Sequence, residues 1–164
     1  MKFEKYKIFW KVNDKNKKIE LIKWNEKECE YYAFIKEQMA NGYHQISVTS
    51  EIMLGFLSEI SSRNFVNVSK IELMEEDSEE GEELNNMVEE CSNNRGILVK
   101  IINKLEYLED ESSIEIKRIY FTEKKDTGEY SSLFVQVNGL LGISGNEMKS
   151  VALLKNYIEE MLNV

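Results

Sequence analysis

Apolar and polar side chains alternate at the start of the chain. Within residues 5–12, aromatic and aliphatic side chains take every second position: Tyr6, Ile8, Trp10 and Val12. Three of the four intervening positions are lysine, and this period of two is typical of a half-buried strand with a lysine-rich outer face. A turn-forming polar run at 13–17 leads to a second alternating segment at 19–24. The first 24 residues therefore predict a β-hairpin.

Apolar residues spaced three or four positions apart recur in five later segments, which is the pattern of amphipathic helices. These segments lie at 25–41, 50–63, 84–93, 97–108 and 144–161. In the first and the last, Asn25 with Glu28 and Ser144 with Glu147 have the spacing of a capping box. The fourth segment is ambiguous, because residues 97–99 also suit a strand.

Strand-forming runs separate these helices at 43–48, 65–73, 114–121 and 130–137. The last two are joined by the turn-forming residues 124–129, which predicts a second antiparallel hairpin. Glycines then make residues 139–145 a connector. A chain with this many hairpins does not suit a doubly wound parallel sheet. We expect an α+β fold, with an antiparallel sheet built from two hairpins plus additional strands and about five helices packed on it.

Length and composition predict one globular domain. The chain has 164 residues, 42% of them hydrophobic. A chain of this length can bury a core without a disulfide or a structural metal. We therefore expect a single domain, 1–164, in which the acidic residues 75–83 could form a hinge between two halves.

Several features favour a cytoplasmic protein. Charges recur every few residues, so no apolar run reaches the length of a signal-peptide core or of a membrane helix. Cys29 and Cys91 are far apart and neither belongs to a C-x-x-C pair, which favours two reduced structural thiols. Proline is absent, arginine is scarce, and lysine, asparagine and isoleucine are abundant. That usage indicates an A+T-rich bacterial or phage genome.

No pattern in the sequence predicts catalysis, a cofactor or a metal site. His44 is the only histidine, which excludes a cluster of histidine ligands, and no nucleophile is adjacent to it. Asp126, Thr127 and Gly128 match the aspartic-protease tripeptide but lie in a lysine-rich turn, where Asp and Gly are common. Residues 139–145 lack the lysine that closes a phosphate-binding P-loop. We therefore predict a non-enzymatic protein without a cofactor.

Charge is distributed unevenly along the chain. The net charge is −9, yet residues 1–24 carry eight lysines against three acids. The most acidic stretch, residues 75–83, contains seven carboxylates, and we call it the acidic segment. Its candidate partner-binding residues are Glu75, Glu76, Asp77, Glu79, Glu80, Glu82 and Glu83.

Three interpretations of the acidic segment are open. It could be a solvated loop whose charges complement the N-terminal end of the following helix. A calcium site is disfavoured, because an EF-hand alternates its ligands and ends on a glutamate at the twelfth position. The third interpretation is a partner surface, since dense negative charge attracts a basic groove and can occupy a channel that normally holds nucleic acid.

The lysines of the N-terminal hairpin support a rival function, because they could contact nucleic-acid phosphates. An isoelectric point of about 4.8 is, however, unusual for a nucleic-acid binder. The candidate residues are Lys5, Lys7, Lys11, Lys15, Lys17, Lys18 and Lys23.

The favoured prediction is a cytosolic interaction module, an acidic inhibitor or regulator from a phage or mobile element, that binds a basic surface of a protein partner through the acidic segment. The first alternative is a nucleic-acid-associated accessory protein that uses the hairpin lysines. The second is a hydrolase built around His44. No membrane partner is expected, and self-association into a homo-oligomer stays open.

Overall fold

The computed structural model describes residues 2–75, 78–91 and 94–164. Within these ranges the chain forms seven strands and five helices. In chain order they are β1 (Glu4–Asn13), β2 (Asn16–Lys23), α1 (Tyr31–Ala40), β3 (His44–Gln45), α2 (Ser50–Ile60), β4 (Val66–Leu73), α3 (Glu79–Cys91), α4 (Gly96–Ser112), β5 (Ile116–Lys124), β6 (Tyr130–Gln136), β7 (Leu140–Ile143) and α5 (Lys149–Leu162).

The strands form one antiparallel sheet with the order β2-β1-β7-β6-β5-β4, and the short β3 pairs with the far end of β1. Both predicted hairpins are present, as β1–β2 and β5–β6. The ambiguous segment at 97–108 is helical and belongs to α4. The predicted α+β fold with an antiparallel sheet is confirmed.

Strand β7 is the element that the sequence does not predict. The glycines at 139–145 indicate a connector, but β7 pairs with β1 on one side and with β6 on the other, and so joins the two hairpins into one sheet. Most of β7 is buried on both faces, so it lacks the alternation that marks a half-exposed strand. Gly142 lies under the Phe134 ring, where an added Cβ would be 1.9 Å from a ring carbon.

Helices cover the two faces of the sheet unequally. Helices α2, α3, α4 and α5 lie on one face and enclose the main core with the inward side chains of the strands. This core includes Phe56, Leu84, Ile101, Leu154 and Ile119, all at most 1% exposed. Burial on this scale, at about 25 cal/mol per Å² of apolar surface, provides the main stabilisation of the fold.

Helix α1 covers part of the opposite face, over β1. Its Phe34 and Ile35 pack on Phe9, which is fully buried. Lys7 lies on the same face of β1 and is only 1% exposed. The predicted lysine-rich outer face of β1 is therefore wrong at its centre, where Phe9 packs under α1 and the buried Lys7 donates to the carbonyl of Asn138.

Side chains of two helical segments close the two edges of the sheet. On β4, the amide of Ile71 donates to Asn85 Oδ1 at 2.9 Å, and Asn85 Nδ2 donates to the Ile71 carbonyl at 2.8 Å. On β2, Asn163 makes the same pair of bonds with the backbone of Lys17, both at 2.8 Å. Because each asparagine replaces a neighbouring strand, edge-to-edge pairing is blocked at these points.

The C-terminal helix is capped from a distance. Ser144 with Glu147 predicts a capping box, but α5 begins at Lys149. The carboxylate of Glu123 on β5 instead accepts hydrogen bonds from the amides of Lys149, at 3.0 Å, and Ser150, at 2.6 Å. Helix α1 likewise begins without a side-chain cap, so neither predicted capping box forms.

In the described part of the chain, no helix is both long enough and apolar enough to cross a lipid bilayer.

Candidate partner-binding surface

Negative charge is concentrated in the part of the chain that forms α3 and α4. Residues 71–115 contain fifteen Asp or Glu against three Lys or Arg, a net charge of −12. All other residues together carry a net charge of +3. The negative charge of the protein therefore comes from this one stretch.

The acidic segment is partly helical, where the sequence predicts a loop. Helix α3 begins inside the segment rather than after it. The first turn of α3 contains Glu79, Glu80 and Glu82. There the helix dipole stabilises each carboxylate by about 0.3–1 kcal/mol, which allows charges of one sign to crowd together. Glu76 and Asp77, two of the predicted partner-binding residues, lie outside the described residues.

A first groove, of about 600 Å³, runs along the outer edge of β4 beside α3. Its charged and amide lining residues are Lys70, Glu72, Glu75, Glu82, Asn85 and Lys117. Glu72 lies 3.4 Å from the Lys70 ammonium and 3.9 Å from the Arg118 guanidinium. Because cations partly balance its carboxylates, this groove has mixed charge.

A second groove, of about 380 Å³, lies between α2 and α4. Carboxylates come from both helices, and the apolar part of the lining is Leu54 and Gly55 of α2. The acidic lining residues are Glu51, Glu106, Glu109 and Asp110. No lysine or arginine lines this groove in the described part of the chain, so its field is unbalanced.

The pKa of Glu109 is affected by the excess negative charge of this groove. Partial burial raises the pKa of this carboxyl above its usual range, and the neighbouring carboxylates of Asp110, Glu115, Glu51 and Glu106 raise it further. Carboxylates that repel one another in this way gain free energy when a cation approaches. The groove is therefore suited to a positively charged group.

Two of the three cations in residues 71–115 are used within the fold. Arg95 turns inward, and its guanidinium donates to the carbonyl oxygens of Val66 and Ile60, both at 2.9 Å. Lys104 pairs with Glu83 across α3 and α4. These cations hold the helices together and leave most carboxylates without a counter-charge.

We use the name acidic helical surface for the carboxylates at the start of α2, in the first turns of α3 and at 106–111 of α4. Its members are Glu51, Glu79, Glu80, Glu82, Glu83, Glu106, Glu109, Asp110 and Glu111. Among the described residues, Glu83 is the member with an ion-pair partner. The sequence points to the α3 acids alone, because Glu51 is far from Glu106 in the chain and only the contact between α2 and α4 brings them together.

The hairpin lysines do not form one surface. Lys7 is buried, and its ammonium donates to the carbonyl of Asn138. Lys5 pairs with Glu26 at 2.8 Å, and Lys23 with Glu4 at 3.4 Å.

Aromatic rings engage two more of these lysines. Lys11 lies 4.8 Å from the centre of the Tyr43 ring, and Lys17 lies 4.9 Å from that of Trp10. Of the seven predicted lysines, Lys15 and Lys18 are exposed without such a contact in the described residues. Most of the predicted phosphate-binding groups are thus occupied.

The candidate catalytic residues lie in different parts of the fold. The exposed ring of His44 stacks on Trp10, with ring centres 4.0 Å apart. Asp126 is an exposed turn residue 3.9 Å from the Lys149 ammonium. Burial raises the pKa of the Cys91 thiol, which keeps it protonated and unreactive. Cys29 precedes α1 and is half-buried.

Among the described residues, no group of three or more His, Cys, Asp or Glu has the arrangement of a metal site. The chemistry of the acidic helical surface is that of ionic and hydrogen-bond contacts with cations. Comparison of the chain with protein-family models, curated proteins and solved structures finds no match.

Proposed function

We propose that the protein is a non-enzymatic binding module of the cytoplasm, which inhibits or regulates a protein partner by occupying a basic surface on that partner. The observation that carries this proposal is the net charge of −12 in residues 71–115, a stretch that includes α3 and α4 and in which Arg95 and Lys104 are used within the fold. Two free thiols agree with a reducing compartment.

The electrostatics favour a basic protein surface as the partner. A concentrated field of one sign steers an oppositely charged surface and raises the association rate, and the effect falls as salt rises. Partial burial and then repulsion from neighbouring carboxylates raise the pKa of Glu109, and a cation in the α2–α4 groove relieves that repulsion. A groove that normally holds nucleic acid is one class of surface with the required charge, so nucleic-acid mimicry is included in the proposal.

The hairpin lysines support a nucleic-acid function less well. Lys7 cannot reach a phosphate from its buried position, and Lys5 and Lys23 already have carboxylate partners. Of the candidate hairpin lysines, Lys15 and Lys18 are exposed without a carboxylate or aromatic contact among the described residues, fewer than the carboxylates of the acidic helical surface that lack a counter-charge.

The proposal is tested with two variants of equal charge. The test variant changes Glu79, Glu80 and Glu82 to glutamine, and the control changes the exposed Glu28, Glu30 and Glu37 to glutamine. Proteins captured from the source cell by the wild type are identified, and the binding of each purified partner to each variant is then measured at several salt concentrations.

We expect the test variant to bind the partner at least about tenfold more weakly, a loss of about 1.4 kcal/mol, and the control to bind as the wild type does. Wild-type binding should weaken with salt. The proposal is wrong if the test variant and the control retain the same partner equally well. A circular dichroism melt of each variant checks that the fold is intact.

A further inference from the structure

In the described part of the chain, one face of the sheet is open over β5 and β6. Helix α1 covers this face over β1, and the other four helices lie on the opposite face. The side chains of β5 and β6 that alternate outward belong to neither hydrophobic core. We call this surface the open sheet face, and its members are Arg118, Tyr120, Thr122 and Lys124 of β5 and Tyr130, Ser132, Phe134 and Gln136 of β6.

Aromatic rings and one guanidinium form the centre of the open sheet face. Tyr120 and Phe134 are opposite each other in the strand register, and their ring centres are 5.7 Å apart. The guanidinium carbon of Arg118 lies 4.7 Å from the centre of the Phe134 ring, and the Phe3 ring packs on the same phenylalanine at 5.2 Å. Phe134 is therefore buried outside both cores, while the Arg118 side chain above it stays 24% exposed.

The guanidinium of Arg118 is held in place by its neighbours. Its Nε donates to Gln136 Oε1 at 2.9 Å, and its Nη2 donates to the same oxygen. Its Nη1 donates to the Tyr120 hydroxyl at 2.8 Å. These bonds use three of the five N–H donors of a guanidinium and fix its plane, so that a planar group can stack on it at a small cost in side-chain entropy.

Tyr130 provides a second aromatic position on the open sheet face. It precedes Phe134 by four positions on β6, which places the two about 13 Å apart along the strand. Tyr130 is 64% exposed, and its partner across the strands is the exposed Lys124. At about 3.4 Å per nucleotide, a single strand of about four nucleotides spans the two positions.

Side-chain chemistry favours single-stranded nucleic acid as the ligand of this face. Bases stack on aromatic rings and on arginine planes, while cations contact the phosphates. The open sheet face contains both kinds of group, together with hydroxyls and an amide that can hydrogen-bond to base edges. It contains no aliphatic side chain, whereas the centre of a protein interface is apolar.

The local charge agrees with an anionic ligand. Arg118 and Lys124 are members of the open sheet face, and no acid is. On the neighbouring β4, Glu72 lies 3.9 Å from Arg118 and 3.4 Å from Lys70, so one carboxylate faces two cations. The acids of α4 lie on the other side of the sheet, and charges farther apart than about 8 Å are largely screened at physiological salt.

We propose that the open sheet face binds single-stranded nucleic acid, with one base stacked on the Arg118 guanidinium, another on the Tyr130 ring and a phosphate paired with Lys124. This site is separate from the acidic helical surface and adds a second class of ligand to the proposed function.

Fluorescence anisotropy with a labelled oligothymidylate of about twelve nucleotides tests the inference on the full chain. The test variants are Tyr130→Ala, Tyr130→Phe and Lys124→Gln. The matched controls are Tyr107→Ala and Lys100→Gln, because both residues are exposed and lie on α4, across the sheet. The same strand paired with oligoadenylate measures the affinity for a duplex, and nona-glutamate is added as a competitor.

We expect Tyr130→Ala to bind the single strand at least about fivefold more weakly, and Tyr130→Phe to bind it as the wild type does because the ring is kept. Lys124→Gln should bind more weakly and lower the salt dependence by about one phosphate contact, a slope change of about 0.7. Both controls should retain the wild-type affinity, and the duplex should bind more weakly because its bases are already stacked.

Four results would overturn the inference: no binding of the single strand by the wild type, wild-type affinity in Tyr130→Ala, equal affinity for the duplex, or displacement of the strand by nona-glutamate at equal charge. The last result would show that the face accepts any anion, an acidic protein segment included. Each of them leaves the proposed function standing, because the acidic helical surface takes no part in the measurement.

Discussion

The N-terminal hairpin and the acidic helical surface are both strongly charged in sequence, but the fold treats their charges in opposite ways. Most hairpin lysines make contacts within the fold. Lys7 is buried, Lys5 and Lys23 pair with carboxylates, and Lys11 and Lys17 lie over aromatic rings. Most carboxylates of α3 and α4 have no counter-charge among the described residues. Uncompensated charges are therefore a better guide to a candidate binding surface than the total number of charges.

The difference follows from the elements that carry the charges. Strand β1 is paired with other strands on both edges. Its lysines meet groups from other parts of the chain, namely a carboxylate at Lys5, a backbone carbonyl at Lys7 and an aromatic ring at Lys11. Helices α3 and α4 lie on the outside of the sheet, and only one stripe of each is buried. Their remaining positions face water, where carboxylates can accumulate without contact to the fold.

The largest expected effect on the free energy of unfolding comes from Lys7, because burial of its charge costs more than the contacts of the other hairpin lysines. Burial lowers the pKa of its ammonium from 10.5 to about 8. Between these values the folded state has released a proton that the unfolded state still binds, so the free energy of unfolding should rise with pH across this window. The rise should amount to roughly 3 kcal/mol at about 1.4 kcal/mol per pH unit.

Urea denaturation across the same pH range measures this rise in the wild type, in Lys7→Met and in Lys5→Met. Lys7→Met should lack the rise, and Lys5→Met should keep it, since Lys5 is exposed and paired with Glu26. A rise of the same size in Lys7→Met would show that Lys7 is not the group responsible.

An intermediate effect on stability is expected at the two asparagines that close the sheet edges. Asn85 lies on the acidic helix α3, and Asn163 contacts the N-terminal hairpin. Asn85 anchors α3 to β4, and Asn163 anchors the end of α5 to the hairpin through Lys17. Asn85→Ala leaves partly buried backbone groups of Ile71 unpaired and should cost about 1–3 kcal/mol. Asn163→Ala should cost less than about 1 kcal/mol, because its bonds are exposed and water can replace them.

Chemical denaturation of both alanine variants at one pH gives the two losses of stability. Equal losses, or a larger loss in Asn163→Ala, would contradict the expectation that the asparagine contact at the β4 edge contributes more stability than the one at the β2 edge.

The smallest expected effect lies on the acidic helical surface itself. The pKa of Glu109 is raised in the folded protein, so the folded state binds a proton more readily than the unfolded state just above the ordinary carboxyl range. Stability should therefore fall as pH rises through that window. Glu109→Gln removes this loss and should stabilise the protein near neutral pH by a few tenths of a kcal/mol.

Thermal unfolding of the wild type and Glu109→Gln between acidic and neutral pH measures the difference. A Glu109→Gln variant that is less stable than the wild type at neutral pH would mean that the carboxylate makes a favourable contact, and that the surface is not self-repelling.

Local patterns predict much of the fold and part of the site. The two hairpins, the five helices and the concentration of acids before Leu84 are all visible in the sequence, because each depends on residues a few positions apart. Strand β7 is missed because burial on both faces removes its alternation. The burial of Lys7 is missed because its hydrogen-bond partner, the carbonyl of Asn138, is distant in the chain.

The candidate site shows the same limit. The acids of α3 stand next to one another in sequence, and so do those at 106–111 of α4. The α4 acids line one groove with Glu51 only because α2 packs against α4.

The sequence by itself determined the kind of element at most positions, the α+β class and the separation of positive and negative charge along the chain. These depend on periodicity and composition, which are local. The tertiary structure decided which lysines are buried or paired, which carboxylates lie close together and which side chains close the sheet edges. Those outcomes depend on contacts between residues far apart in the chain, whose free energy is not encoded in any short stretch of sequence.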